Sequence, residues 1–342
     1  MITIDEIARR ANVSKSTVSN VLNNRDDRVS PETKSKILQV IDELGYRSRK
    51  ARKGLALAKT GTIVVLFPHS LVRLLSFPLQ HELMRGVAEA AHRLNYQVVI
   101  TTSGQDFNPS LACEDLINPD LGDGYLVTEL LKRDGRLKRL SRGLETFVCL
   151  GKPEVQDNRG VSWVFIDVTA MVDKAVQRLI TGGHREILFL GTEERRIIDL
   201  QALRGYQRAL EKNRLPFQEK LQLNLEPDSY RVALAVKDLL REHPGVTAAF
   251  CESQGLANGV LRAARDLNRR VPESLAIMSM LENDSSADFD PPLSGIDWKA
   301  RELGNHAVQL LAKMMEGKRE DISGRVISTD LVIRNSCGTQ GQ

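Results

Sequence analysis

From Thr62 onward, short apolar runs recur with amphipathic helical patterns between many of them, and this alternation constrains the fold more than any other feature. The runs are TIVVLF (62–67), YQVVITT (96–102), GYLVT (124–128), TFVCL (146–150), SWVFID (162–167), REILFLG (185–191), VTAAFC (246–251) and LAIMSM (275–280). Stretches such as LQHELMRGVAEAAHRLN (79–95) and VTAMVDKAVQRLITG (168–182) lie between them, with apolar residues every three to four positions. Strands buried on both faces and separated by helices build parallel sheets covered by helices on either side. No run reaches the roughly 18 apolar residues of a membrane span. The N-terminus lacks the basic-then-apolar pattern of a secretory signal. Cys113, Cys149, Cys251 and Cys337 are scattered with no CxxC pair, which suits reduced thiols in a cytoplasm. The six histidines are dispersed and none has HExxH spacing, so no metal is expected, and nothing calls for a cofactor. GxGxxG, GxxxxGKS/T and GxSxG patterns are missing, and an α/β fold does not by itself imply catalysis.

The first 46 residues are of another kind. Thr3 and Glu6 have capping-box spacing, so a helix is expected from Ile4, with Ile4, Ile7, Ala8 and Ala11 as its apolar stripe. Asn12 tolerates a left-handed backbone and ends it. Ser14 caps a second helix over Lys15 to Leu22, whose inner face is Val18, Val21 and Leu22. A third is capped by Ser30, opens on Pro31, ends at Gly45 and buries Ile37, Leu38, Ile41 and Leu44. Ala8 is small where the first two helices must cross. This is a helix-turn-helix layout. Lys15, Ser16 and Asn20 are polar at the exposed start of the second helix, the end that meets base edges in a major groove.

Charge points the same way. Residues 1–61 hold 13 Lys and Arg against 7 Asp and Glu, whereas the remainder holds 35 against 37. Arg47, Arg49, Lys50, Arg52, Lys53 and Lys59 fall together with no acid among them. Such a run suits phosphate contacts, although a solvated linker has the same composition.

The segments IDEIARRANVSKSTVSNVLN, RVSPETKSKIL and ELGYR resemble, in order, the headpiece of the LacI/GalR family of bacterial transcription regulators. GYRSRKARKGLALAKTGTIVVLF is similar to the family's hinge, and LITGGHREILFLG, LRGYQRALEKNRLP, PPLSGID and LVIRNSC are similar to its sensor. The resemblance implies a small all-α helix-turn-helix headpiece over 1–46, a hinge linker over 47–61 and an α/β sensor over 62–342. The sensor would have two Rossmann-like lobes, like a type I periplasmic binding protein. The first lobe would run from about 62 to 161 and the second from about 162 to 290, with crossovers returning later segments to each. Function is then that of a cytoplasmic, homodimeric repressor on double-stranded, pseudo-palindromic operator DNA; a DNA-bound enzyme is the distant alternative. Lys15, Ser16 and Asn20 would read bases, joined by Arg28 from the loop. Thr3, Ser14, Thr17 and Tyr46 would contact phosphate. Leu55 would wedge into the minor groove as the hinge folds on DNA. Ser48-Arg49 replaces the hinge's customary Pro-Asn, and Gly54 precedes the wedge where Ser is common. The tail SCGTQGQ has no heptads to build a coiled coil.

The effector cleft departs further from the family. Ala202 stands where the Arg of RxxGY is customary, and Arg204 lies two residues further along the helix. Phe77-Pro78-Leu79-Gln80 replaces Asn-Pro-Phe-Phe, Ser253-Gln254 replaces Asn-Asp, and Ser279-Met280-Leu281-Glu282 replaces Gly-x-Asp-Asp. Asp167 is kept, although Val168 takes the place of the Asn that follows it. Leu79, Gln80, Asp167, Ser253, Gln254 and Glu282 are accordingly the candidate effector contacts. Arg195 and Arg196, in the loop after REILFLG, join them as a pair suited to an anionic ligand or to a solvated surface. A neutral sugar held in the family's usual manner is not expected. An unusual small molecule (a sugar, sugar phosphate or nucleoside), control by a protein co-repressor, and a vestigial cleft all remain open.

Overall fold

The computed structural model describes residues 4–22, 29–43, 60–76, 78–103, 116–118, 121–131, 134–143, 145–153, 161–192, 196–317 and 324–338. Thr3, Arg28, Tyr46, Leu55 and Arg195 lie outside the described residues. The chain divides into two compact units, Met1–Thr62 with Asn118–Asp123, and Ile63–Ile117 with Gly124–Gln342.

In the first unit, α1 (Ile4–Ala11), α2 (Lys15–Leu22) and α3 (Pro31–Glu43) form the expected three helices. Asn12 ends α1 with φ at 54°, a left-handed conformation that Asn tolerates. Ser14 Oγ accepts from Thr17 N at 3.1 Å and Ser30 Oγ from Thr33 N at 3.3 Å, so each hydroxyl satisfies an orphan N–H of the helix it opens. Ile7, Ala8, Ala11, Val18, Val21, Ile37, Val40 and Ile41 make the shared core, with Leu38 at its margin. Val40, not singled out by the spacing, is buried in Leu38's stead.

The second unit holds two parallel sheets. The first has the order β11-β5-β4-β3-β1-β2, built from β1 (Thr62–Phe67), β2 (Gln97–Thr102), β3 (Gly124–Val127), β4 (Phe147–Leu150), β5 (Ser162–Phe165) and β11 (Arg325–Val326). The second has the order β12-β10-β9-β8-β6-β7, from β6 (Glu186–Gly191), β7 (Gln222–Asn224), β8 (Val246–Cys251), β9 (Ala276–Ser279), β10 (Ser294–Asp297) and β12 (Asp330–Val332). β12 runs antiparallel to β10 and closes that edge. All eight runs form strands; β7, β10, β11 and β12 are two to four residues long and carry too little periodicity to be read in advance.

The lobe boundary moves from the expected position. β5 pairs in parallel with β4, so 162–165 belongs to the first sheet and the chain crosses to the second lobe after it. Val164 is fully buried in that sheet, and Asp167 then caps α7 (Val168–Thr181), the first element of the second lobe. The chain returns through α11 (Ala300–Met315) after β10, and crosses once more between β11 and β12.

Alternating side chains serve opposite faces of each sheet. In β6, Ile187 and Phe189 point to the face covered by α7 and α8 (Ile197–Lys212), whereas Leu188 and Leu190 point to that of α9 (Ser229–Glu242) and α10 (Gln254–Asp266). In the first lobe, the short α4 (Leu71–Ser76) leads into α5 (Pro78–Arg93), which with α11 covers one face, and α6 (Gly135–Gly143) covers the other. A Cβ on Gly304 would stand 2.4 Å from Leu83 O, and one on Gly86 2.0 Å from Arg301 O, so glycine on each helix lets α5 and α11 cross at backbone contact.

Candidate functional site

The α2 surface is the first candidate. Lys15, Ser16 and Asn20 are exposed and Thr17 is half-buried. Ser14 Oγ lies 2.7 Å from both Ser16 Oγ and Thr17 Oγ1, so the cap and the hydroxyls beside it form one polar patch at the helix N-terminus. Backbone N–H groups there favour an anion. Lys15 Nζ is ion-paired with Asp5 of α1, both well exposed. Exposed pairs of this kind are worth about 0–1 kcal/mol, so the ammonium is readily exchanged for a phosphate or a base edge.

The second candidate is a cavity of about 460 Å³ between the two lobes, within the roughly 300–1,000 Å³ of small-molecule sites. Leu79 and Leu83 of α5, Phe165 and Ile166 at the first crossover, and Met280, Leu281 and Trp298 at the second lobe's strand ends give it apolar walls. The indole of Trp298 is itself fixed, donating Nε1–H to Met280 O at 2.7 Å.

A polar network crosses this cavity. Gln80 Nε2 donates to Glu129 Oε1 at 2.5 Å, and His69 Nε2 lies 2.8 Å from Glu129 Oε2. Arg196 Nη1, from the other lobe, stands 3.8 Å from Glu129 Oε2. The guanidinium also holds Asp199 through Nε at 3.1 Å and Nη2 at 2.9 Å. Glu252, at the end of β8, accepts from Thr192 N at 2.8 Å. Burial and the nearby Asp199 carboxylate push the Glu252 carboxyl up to about 8. The lobes also touch along the backbone: Ile197 N donates to Leu130 O at 3.4 Å, beside a bridge between Leu131 and Arg196.

Of the candidate contacts, Leu79, Gln80, Arg196 and Ser253 line the cavity; Asp167, Gln254 and Glu282 do not. Asp167 is exposed and spends an oxygen on Ala170 N, Gln254 binds Asn283 Oδ1 and Ser286 Oγ, and Glu282 is paired with Arg334. Ser253 caps α10 by accepting from Leu256 N. Arg196 is no solvated surface residue: its side chain is 18% exposed and already faces two carboxylates. Ala202 is fully buried in the core, so nothing polar replaces the customary Arg there. His69, Glu129 and Glu252 are the residues that sequence reasoning missed. Each follows an apolar run by one to two positions, where parallel strands deliver side chains to a ligand crevice.

Residues 3–48 match the family of bacterial regulatory proteins called lacI, and 176–337 match the periplasmic binding protein-like domain. Catabolite control protein A of Priestia megaterium is 30% identical over 326 residues, spanning 94% of this chain and 95% of that protein. The chain belongs to the lacI family. The transcriptional regulator CelR of Thermobifida fusca is 27% identical over 335 residues, 98% of each chain. A solved structure described as a CelR–cellobiose complex superposes with a TM-score of 0.74 at 26% identity, covering 98% of this chain and 100% of that one. This lacI-family chain is thus a DNA-binding transcription regulator and not an enzyme, with a helical headpiece and two α/β lobes. Among the described residues no helix is long and apolar enough to cross a membrane, and no group of three or more His, Cys, Asp or Glu is placed to hold a metal ion.

Proposed function

We propose that this regulator is a cytoplasmic homodimeric repressor that reads a pseudo-palindromic operator with Lys15, Ser16 and Asn20 and is controlled by a small molecule between its lobes. The observation that carries the reading is the polar, N-capped start of α2, presented to solvent by a three-helix core of the matching family. Ser14 and Thr17 hold phosphate from the same helix end. Thr3, Tyr46 and Arg28 add contacts, and Leu55 opens a base step in the minor groove. Control by a cleft ligand is supported by the cavity itself and by the CelR relative, whose structure is a complex with cellobiose. Arg196 on Glu129 and Ile197 on Leu130 tie the lobes, so a ligand that changes these contacts changes the relation of the lobes.

Binding-site selection on the full-length protein tests the reading. The wild type should select a two-fold symmetric duplex, with affinity falling steeply as salt rises because phosphate contacts release counterions. A Lys15→Ala, Ser16→Ala double variant should lose base preference by about 1–3 kcal/mol per lost contact while keeping nonspecific binding. An unchanged preferred sequence in that variant refutes the assignment of α2 as the reading helix.

A further inference from the structure

The polar groups of the cleft are only partly spent within the protein. Arg196 is engaged by Asp199 and Glu129, and the Gln80 amide donates to Glu129. Thr128 Oγ1 donates to Leu66 O, and Trp298 Nε1 to Met280 O. Acceptors remain. Gln80 is 7% exposed, lines the cavity, and its Oε1 is a buried oxygen with no hydrogen-bond partner among the described residues. A buried unpaired acceptor is costly, and a ligand donor relieves that cost. Glu252 is 4% exposed and lines the same cavity, and no Lys, Arg or His of the described residues lies within ion-pair distance of it. Charged groups near it are Asp199 of α8 and Arg196 just before that helix, and Glu226, on the loop after β7, adds a further acid to the lining. The polar lining thus sets the acids Glu129, Glu226 and Glu252 beside the cations Arg196 and Lys152, with Leu79, Leu83 and Trp298 along the walls.

We infer that the ligand of this cleft carries a protonated nitrogen on an apolar body, the nitrogen donating to Gln80 Oε1 and Glu252 and the body lying between the apolar walls. A phosphorylated ligand would meet Glu129, Glu226 and Glu252 in the lining, with Lys152 and an Arg196 guanidinium that two carboxylates share as its cations. The inference rests on the cleft being the regulator's effector site, and it names the class of molecule that fits there.

The test uses full-length protein and a set of probes sharing one body: phenethylamine, phenethyl alcohol and hydrocinnamate, with cellobiose and fructose bisphosphate as the sugar and sugar phosphate. Thermal shift ranks them and calorimetry measures affinity. Phenethylamine should bind roughly 10- to 100-fold more tightly than its alcohol, the range of a charge-assisted hydrogen bond. Its carboxylate counterpart and both sugars should leave the melting temperature unchanged. Because the unliganded Glu252 carboxyl titrates at about 8, binding a cation near pH 7 should release a proton, seen as a heat that depends on the buffer's ionisation enthalpy. Glu252→Gln should abolish both the preference for the amine and the proton release, with the unliganded variant melting no lower than the wild type. Equal binding of alcohol and amine, tighter binding by a sugar or the carboxylate, no binding by the amine, or amine preference retained in Glu252→Gln would each overturn the inference. Operator binding measured on the same preparations separates the failures: intact DNA binding with no amine preference rejects the ligand class alone, and loss of operator selection rejects the regulator reading.

Discussion

Ile197 is the residue whose removal should most directly loosen the two lobes. It opens α8 in the second lobe, yet its side chain is 5% exposed and packs in the first lobe's outer core with Leu130 and Leu137. Ile→Ala at a buried site costs about 2–5 kcal/mol. Some of those contacts persist when the lobes part, so about 2–3 kcal/mol falls on the contact between lobes, a roughly 30- to 150-fold shift toward the separated arrangement. Hydrogen exchange reads the shift at a single atom, because the Ile197 amide itself donates across the lobes to Leu130 O and survives the substitution. In Ile197→Ala that amide should exchange faster by roughly this factor, while the amides of Leu188 and Phe250, inside the second sheet, keep their protection. Unchanged exchange at position 197 would show that this side chain does not hold the lobes together. Equal acceleration at Leu188 and Phe250 would show instead that Ile197 stabilises its own lobe.

Gly304→Ala should destabilise the sensor despite the better helix propensity of alanine, since the new Cβ lies 2.4 Å from Leu83 O and overpacking costs about 1–3 kcal/mol; a raised midpoint in urea would contradict the close crossing of α5 and α11. Glu252 makes stability pH-dependent. Its folded value of about 8 exceeds the ordinary glutamate value of 4.5, so the folded state holds a proton that the unfolded chain has released. The contribution is fully present below about 4.5 and is lost as pH rises through about 8, on the order of 1 kcal/mol per pH unit. Glu252→Gln should flatten the melting temperature over that window relative to the wild type; parallel curves for the two proteins would reject a protonated Glu252.

Local patterns sufficed where neighbours in sequence are also partners. Asn12 and Ser14 bound α1 and α2 through their own backbone and hydroxyl chemistry, and the stripe of Ile7, Val18 and Ile37 follows from helical spacing alone. Strands β1, β3 to β6, β8 and β9 were legible because parallel strands inside a sheet are apolar on both faces, and the half-buried edge strand β2 because of its β-branched run. Short β7, β10, β11 and β12 were not, since two to four residues leave little mark in composition and owe their place to the strand they pair with.

The cleft was decided at a distance. Gln80 and Glu129 are 49 residues apart, and Glu129 meets Arg196 across two lobes, so no spacing rule couples them. Asp167, Gln254 and Glu282 look available in sequence, and the fold spends them on a cap, a loop and an ion pair. A side chain's chemical type is set by the gene, and so is the period of its helix or strand. Whether its hydrogen-bonding capacity faces a ligand or is consumed by another part of the protein depends on which distant groups packing brings within about 3 Å, and that only the tertiary structure decides.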